Sequence, residues 1–311
     1  MTAVEAPVAP APAAPMEAVT PPPVTTPRPL GLAGWPRVVR MLMMMAGAAV
    51  ALGVAYTSPD RLLPESRNQW LLWASAAGLL GALSGSTIGS GVARWHDLQQ
   101  IQHVPVRRVF SSVLVFLALV AGAVAAAHAI LGRGLTWRFG VFLGIVILGS
   151  LPAGATLAGL RVVSMRGLTG TPGEQLAALM RLRRILARVL QMMGSLLLVL
   201  VLIGAASVGW GSSETIPQST ALVIGAAGSI LIALMHIPSA TLLRRRCQVY
   251  VDEFSDIAHA PKTNLISAAE DRIKLEEILG VNRTSLSELQ SGLVIVGPLL
   301  ATSIAAVIPK L

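Results

Sequence analysis

The sequence predicts an all-α integral membrane protein: a bundle of six transmembrane helices, with a further apolar segment near the C-terminus. The 311 residues are 54% hydrophobic and only 13% charged, with a mean hydropathy of +0.69. A soluble domain carries about 25% charged residues. The apolar residues gather in runs of about the 20 residues that a spanning helix needs. All six tryptophans lie at or just beyond the ends of these runs, as a membrane interface favours.

The apolar runs define the predicted spans. They cover residues 40–58, 70–93, 109–131, 138–160, 186–208 and 219–243. Each pair of runs begins and ends beside arginines, so residues 35–246 are predicted to form three helical hairpins. A weaker run within 287–311 contains Gly297 and Pro298. We expect it to span with local distortion, to re-enter, or to lie on the surface.

The basic residues predict the orientation. With the N-terminus in the cytoplasm, nineteen of the 24 Lys and Arg residues fall on the inner side, which follows the positive-inside rule. Because they border apolar runs, they favour anionic lipid headgroups as partners and not nucleic acid. The Arg, Ala and Gly content is typical of a GC-rich bacterial genome. We therefore expect a multi-pass protein of the bacterial cytoplasmic membrane.

The first 34 residues differ in composition from the rest of the chain. They are rich in Pro and Ala and show no apolar periodicity, which predicts a disordered cytoplasmic tail. They also lack the basic and apolar regions of a signal peptide, so the first span is expected to act as the targeting signal.

Residues 172–188 read as a basic amphipathic helix. Thr171 and Glu174 form a capping box, and Pro172 occupies the first helical position. Apolar residues recur at helical spacing beside four arginines. We expect this helix to lie in the headgroup plane.

Residues 247–286 are predicted to form a small helical cytoplasmic element. Ser267 and Glu270 suit a second capping box, and Gly280 suits a helix end. Two ion pairs at a spacing of four residues are expected to support the helix. These pairs are Glu270–Lys274 and Arg272–Glu276.

Gly81, Gly85 and Gly89 recur every fourth residue and predict a groove for close helix packing, within the chain or in a homo-oligomer. The alternative is a pore-lining or hinge helix. Its lining would be Ser84, Ser86, Thr87 and Ser90.

A second hypothesis concerns transport. The stretches LGSLPAGATLAGLR and LMHIPSATLLRRR resemble each other, and proline-interrupted spans in corresponding repeats are typical of transport sites. The transport candidates are Ser150, Pro152, Thr156, His236, Pro238 and Thr241. His236 itself is interpreted as a buried, hydrogen-bonded side chain, with a proton relay or gate as the alternative. No Asp or Glu falls inside the six spans, which argues against proton-coupled carriers and intramembrane aspartyl proteases.

The sequence offers little for catalysis or metal binding. It has no Walker A loop, H-E-x-x-H, C-x-x-C or nucleophile elbow, and its one cysteine, Cys247, excludes an intrachain disulfide. No cofactor is expected. The weak metal-ligand candidates, which fit no defined spacing, are Asp252, Asp256, His259, His96 and His103.

Three functions are therefore open. The first is a non-enzymatic membrane protein that scaffolds or docks a cytoplasmic protein partner. The alternative is a small transporter or channel with its site near the prolines. The least favoured is a membrane enzyme that uses the juxtamembrane Asp and His groups.

Overall fold

The structure is a computed structural model that describes residues 37–131, 136–166, 168–207, 218–254 and 265–281. All regular secondary structure in these ranges is helical, which confirms the all-α prediction. The helices are α1 Arg37–Tyr56, α2 Arg67–Ile101, α3 Val106–Leu131, α4 Trp137–Arg166, α5 Pro172–Ser207, α6 Gln218–Phe254 and α7 Leu265–Leu279. A short 3-10 helix, Pro59–Leu62, lies between α1 and α2.

Five of these helices, α1, α2, α4, α5 and α6, are long and apolar enough to cross a membrane. They indicate a multi-pass membrane protein. Helix α3 has 26 residues, but its described apolar stretch, Val109–Gly122, is shorter than a span. The sixth crossing therefore stays a prediction.

The long helices extend beyond the predicted spans. Helix α6 has 37 residues, about 55 Å at 1.5 Å per residue, against a hydrocarbon core of about 30 Å. Helix α2 continues to Ile101 and α6 to Phe254. Hydropathy falls where arginines begin, but the helices continue because their apolar faces are still buried there. Residues 247–254 thus belong to α6 and not to a separate cytoplasmic element.

The predicted amphipathic helix at 172–188 is the first half of α5, not a separate element. Its start follows the prediction, since Glu174 Oε2 accepts a hydrogen bond of 2.9 Å from the Thr171 N–H. Its apolar stripe is buried in the protein through Leu179, Leu182 and Ile185. The stripe therefore packs against neighbouring helices, where a position in the headgroup plane was expected.

The helices pack around two apolar cores. One surrounds Trp73 and Phe142, whose rings meet edge to face at 5.5 Å. The other lies toward the arginine-rich end and includes Leu160, Leu182 and Leu243. Helix α2 contacts α1, α4 and α5, while α3 packs on α4 and α6, and α7 on α6 and α5.

Helix α7 partly follows the prediction. It begins at Leu265, two residues before the predicted cap Ser267. It ends before Gly280, which has the positive φ of +52° that a helix stop requires. The predicted pair Arg272–Glu276 forms at 3.0 Å, whereas Lys274 lies 3.9 Å from Asp271, one position from the predicted partner Glu270.

Several predictions fall outside the described residues. They concern the tail of residues 1–34, the apolar run within 287–311, and the metal candidates Asp256 and His259.

Candidate functional site

The glycine series of α2 lies against α1. A Cβ at Gly81 would overlap the Gly47 carbonyl oxygen, and one at Gly85 would overlap the Met43 carbonyl oxygen. At Gly89, by contrast, a Cβ would meet only the Arg40 Cγ at 3.7 Å and the Met43 Sδ at 3.8 Å. The two backbones therefore approach most closely at the first two glycines, which lets α1 and α2 gain dispersion contacts.

A neighbouring face of α2 is joined to α4 by hydroxyl groups. Ser84 Oγ donates to the Ile145 carbonyl at 2.8 Å, and Thr87 Oγ1 donates to the Gly149 carbonyl at 3.1 Å. Both hydroxyl-bearing residues are buried. These bonds connect helices and leave neither hydroxyl free to line a pore.

The two prolines lie inside continuous helices. Helix α4 runs through Pro152 and α6 runs through Pro238, so neither span is unwound as in the broken helices of transporters. Each proline carbonyl accepts a hydrogen bond from a following threonine. Thr156 Oγ1 donates to Pro152 O at 2.8 Å, and Thr241 Oγ1 donates to Pro238 O at 3.1 Å.

The proline-containing helices also touch each other. Ser239 Oγ lies 3.4 Å from the Leu157 carbonyl of α4. Ser150 Oγ donates within its own helix to the Ile147 carbonyl at 2.9 Å. The hydroxyl groups among the transport candidates are thus all bonded to backbone carbonyls.

His236 has no such partner. Its side chain is half-buried, and its Nδ1 atom is buried without a hydrogen-bond partner in the described part of the chain. The sequence predicted that His236 is hydrogen-bonded, and its Nδ1 atom does not meet this prediction. The six predicted apolar runs also contain no Asp or Glu to pair with it, as a proton relay would need.

The two cavities described below do not bring the transport candidates together. The cavity between α3, α4, α5 and α6 has about 850 Å³ of empty space, including the part open to the outside, and Ser150 is the one polar residue among the described residues that line it. Pro152 lines a different apolar groove, with Trp95 and Val109. Pro238 and His236 line neither of these two cavities.

The metal candidates are spread over the arginine-rich end. His96 and His103 are exposed, and Asp252 forms an ion pair of 2.8 Å with Arg272 of α7. Across the described ranges, no three His, Cys, Asp or Glu side chains come together to hold a metal ion.

Arginines fix α7 onto the bundle. Arg244 of α6 donates to the Val281 carbonyl at 3.3 Å, just past the end of α7, and Arg183 of α5 approaches Gly280. Both cations lie at the negative end of the helix dipole. The hydrogen bond to Glu276, with the nearby Asp252, raises the pKa of Arg272, so this side chain stays cationic. Helix α7 is therefore held by charge at its end and along its inner face.

Arg138 has a role that the sequence did not reveal. Its Nε donates to Thr57 Oγ1 at 2.9 Å and its Nη2 donates to the Thr57 carbonyl at 2.8 Å. The guanidinium thus holds the turn after α1 against the start of α4. A bond to a backbone carbonyl 81 residues away leaves no pattern in the sequence, so this contact could not be predicted.

The fold defines a class, a multi-pass helical membrane protein, and the geometry places no catalytic constellation within the described residues. Comparison with known proteins adds nothing to this class: no family model, curated protein or solved structure matches the chain.

Proposed function

We propose that the protein is a non-enzymatic, multi-pass membrane scaffold whose arginine-rich end lies in the cytoplasm and docks a protein partner. The observation that carries this proposal is the outward face of α7. Ile266 and Ile273 on this face are 78% and 60% exposed, and the exposed Glu270 and Glu277 lie on the same face at helical spacing.

Exposed isoleucines on a water-facing helix favour association. Transfer of apolar surface out of water contributes about 25 cal/mol per Å², and a helix face of this kind fits into a groove on a partner. Because Glu270 and Glu277 flank the isoleucines, the expected partner has an apolar groove with a basic rim.

The fixed position of α7 on the bundle supports the same function. Arg272 links α7 to Asp252 of α6 at 2.8 Å and to Glu276 at 3.0 Å, while Arg244 holds its end. A face that is ordered before binding loses less conformational entropy on association. Transport has less support, because the candidate hydroxyls are bonded to backbone carbonyls and the prolines do not interrupt their helices.

Site-specific photocrosslinking in native membranes tests the proposal. A photoreactive amino acid at Ile273 should give a discrete adduct with one partner. The same amino acid at Asp271 is the matched control, because this exposed residue lies about 140° around α7 from Ile266. Reversing the acidic charges with Glu270→Lys plus Glu277→Lys should lower the adduct yield by about tenfold. Equal adducts from Ile273 and Asp271, or none from either, would contradict a docking face here.

A further inference from the structure

The cavity between α3, α4, α5 and α6 lies in the apolar part of the bundle, away from the arginine-rich end. Along α4 it extends from Phe139, close to the start of the helix, to Ser150. This distance is about 16 Å at 1.5 Å per residue, close to half of the roughly 30 Å hydrocarbon core. The cavity is therefore as deep as one leaflet of a bilayer.

Apart from Ser150, the described residues that line the cavity are all apolar. Residues such as Val120, Leu143, Leu197 and Leu231 come from the four helices in turn. The hydroxyl group of Ser150 already donates to the Ile147 carbonyl. A cavity of this kind does not hold water, because water needs two to four polar partners.

We propose that this cavity binds one hydrocarbon chain of a membrane phospholipid. All five helices that are apolar enough to cross a membrane pack in one bundle, and three of them, α4, α5 and α6, line the cavity. The medium at its opening is therefore lipid. An empty cavity would leave its lining side chains without dispersion contacts, and an inserted acyl chain restores them. This binding is independent of the docking face on α7.

The size of the cavity indicates whether an acyl chain or an α-helix can occupy it. A helix about 10 Å across and 16 Å long occupies about 1,200 Å³, more than the 850 Å³ of empty space that includes the open part. An extended acyl chain is much narrower. The apolar run within 287–311 of this protein could enter only as a few side chains, and the test below separates this occupant from lipid.

Native mass spectrometry of the full-length protein, supplied with palmitoyl-oleoyl-phosphatidylcholine, measures the binding. This lipid has no net charge, so headgroup attraction to the arginines contributes little. Ala227→Phe fills the cavity from α6, and Val146→Phe fills it from α4. Each should retain about tenfold less lipid than the wild type.

Two variants serve as matched controls. Ile230→Phe and Leu148→Phe lie on the same two helices, but both side chains point away from the bundle and are exposed. They should retain lipid as the wild type does. Thermal unfolding of all four variants shows whether each one folds, and only folded variants are compared.

A crosslinking measurement identifies the occupant. A diazirine amino acid in place of Leu231, which lines the cavity, should form an adduct with phosphatidylcholine. Equal lipid retention in the filled and control variants would overturn the proposal. So would crosslinks from position 231 that reach only residues 287–311 of the chain itself.

Discussion

Gly81 and Gly85 have no space for a side chain. A methyl group at either position would overlap a carbonyl oxygen of α1, and backbone cannot move aside as a flexible side chain can. Single residues on α2 therefore set how closely the first two helices approach. On another face the same helix bonds α4 through Ser84 and Thr87, so α2 connects its neighbours through small residues.

Gly81→Ala and Gly85→Ala should each destabilise the protein by about 1–3 kcal/mol, the usual cost of overpacking. Gly89→Ala is the matched control, since its Cβ would make only ordinary contacts of 3.7 and 3.8 Å. Thermal unfolding in a mild detergent measures the effect as a lower melting temperature. Equal melting temperatures for the three variants would show that the glycines are not required for packing.

His236 differs from the other polar transport candidates, because its Nδ1 atom has no hydrogen-bond partner among the described residues. A buried nitrogen without a partner costs free energy, and the predicted apolar runs contain no Asp or Glu. Its position beside Pro238 does not make it a site, because the helix continues through the proline. The arginine that follows at 244 has the clearer role, since it bonds the end of α7.

Among the elements, the existence and type of the helices could be predicted from the sequence, but hydropathy did not predict where the long helices end. Hydropathy identifies the apolar part of α6, yet the helix continues through three arginines to Phe254. The continuation depends on Leu243, Cys247, Tyr250 and Val251, which are buried against other helices. A hydropathy average over the sequence combines these buried residues with the exposed arginines, so it no longer indicates that the helix continues.

Predictions of one helix cap and one helix stop from neighbouring residues agreed with the structure, whereas contacts between distant helices could not be predicted. The cap at Thr171 and the stop at Gly280 depend on neighbouring residues, and both agree with the structure. Bonds such as Arg138 to Thr57 join distant parts of the chain. No residue type is specific for a bond to a backbone carbonyl, so these partners could not be found from the sequence alone.

Gly280→Ala should loosen α7 from the bundle. Gly280 has φ +52°, and a non-glycine residue in this left-handed region costs about 1–2 kcal/mol. Hydrogen exchange of the α7 amides should accelerate by about tenfold, since 1.4 kcal/mol corresponds to a factor of ten.

The control for this prediction is Gly173→Ala. Gly173 has ordinary helical geometry at the start of α5, and a Cβ there would meet nothing within 4 Å. Alanine should be neutral or slightly stabilising at this helical position. If both variants exchange like the wild type, the stop at Gly280 does not hold α7.

The whole molecule separates apolar from charged surface along the helices. Large side chains are exposed on the outside of the apolar segments, including Leu42, Phe110 and Leu234. In water this surface would drive aggregation, whereas in lipid it has no such cost. Exposed arginines such as Arg161, Arg184 and Arg245 lie at one end of their helices, and on α4 the opposite end begins at Trp137. The bundle thus has one charged end and one end with few charges.

This distribution predicts that the charged end faces the cytoplasm, by the positive-inside rule. Single cysteines test it in the background Cys247→Ser, which removes the only native cysteine. In intact cells, a membrane-impermeant thiol reagent should label Leu62→Cys, in the turn between α1 and α2. It should label Arg166→Cys, at the end of α4, only after the membrane is permeabilised. Both side chains are exposed in the fold, so reactivity reports the side of the membrane and not burial. The reverse pattern would invert the topology and place α7, with its docking face, outside the cytoplasm.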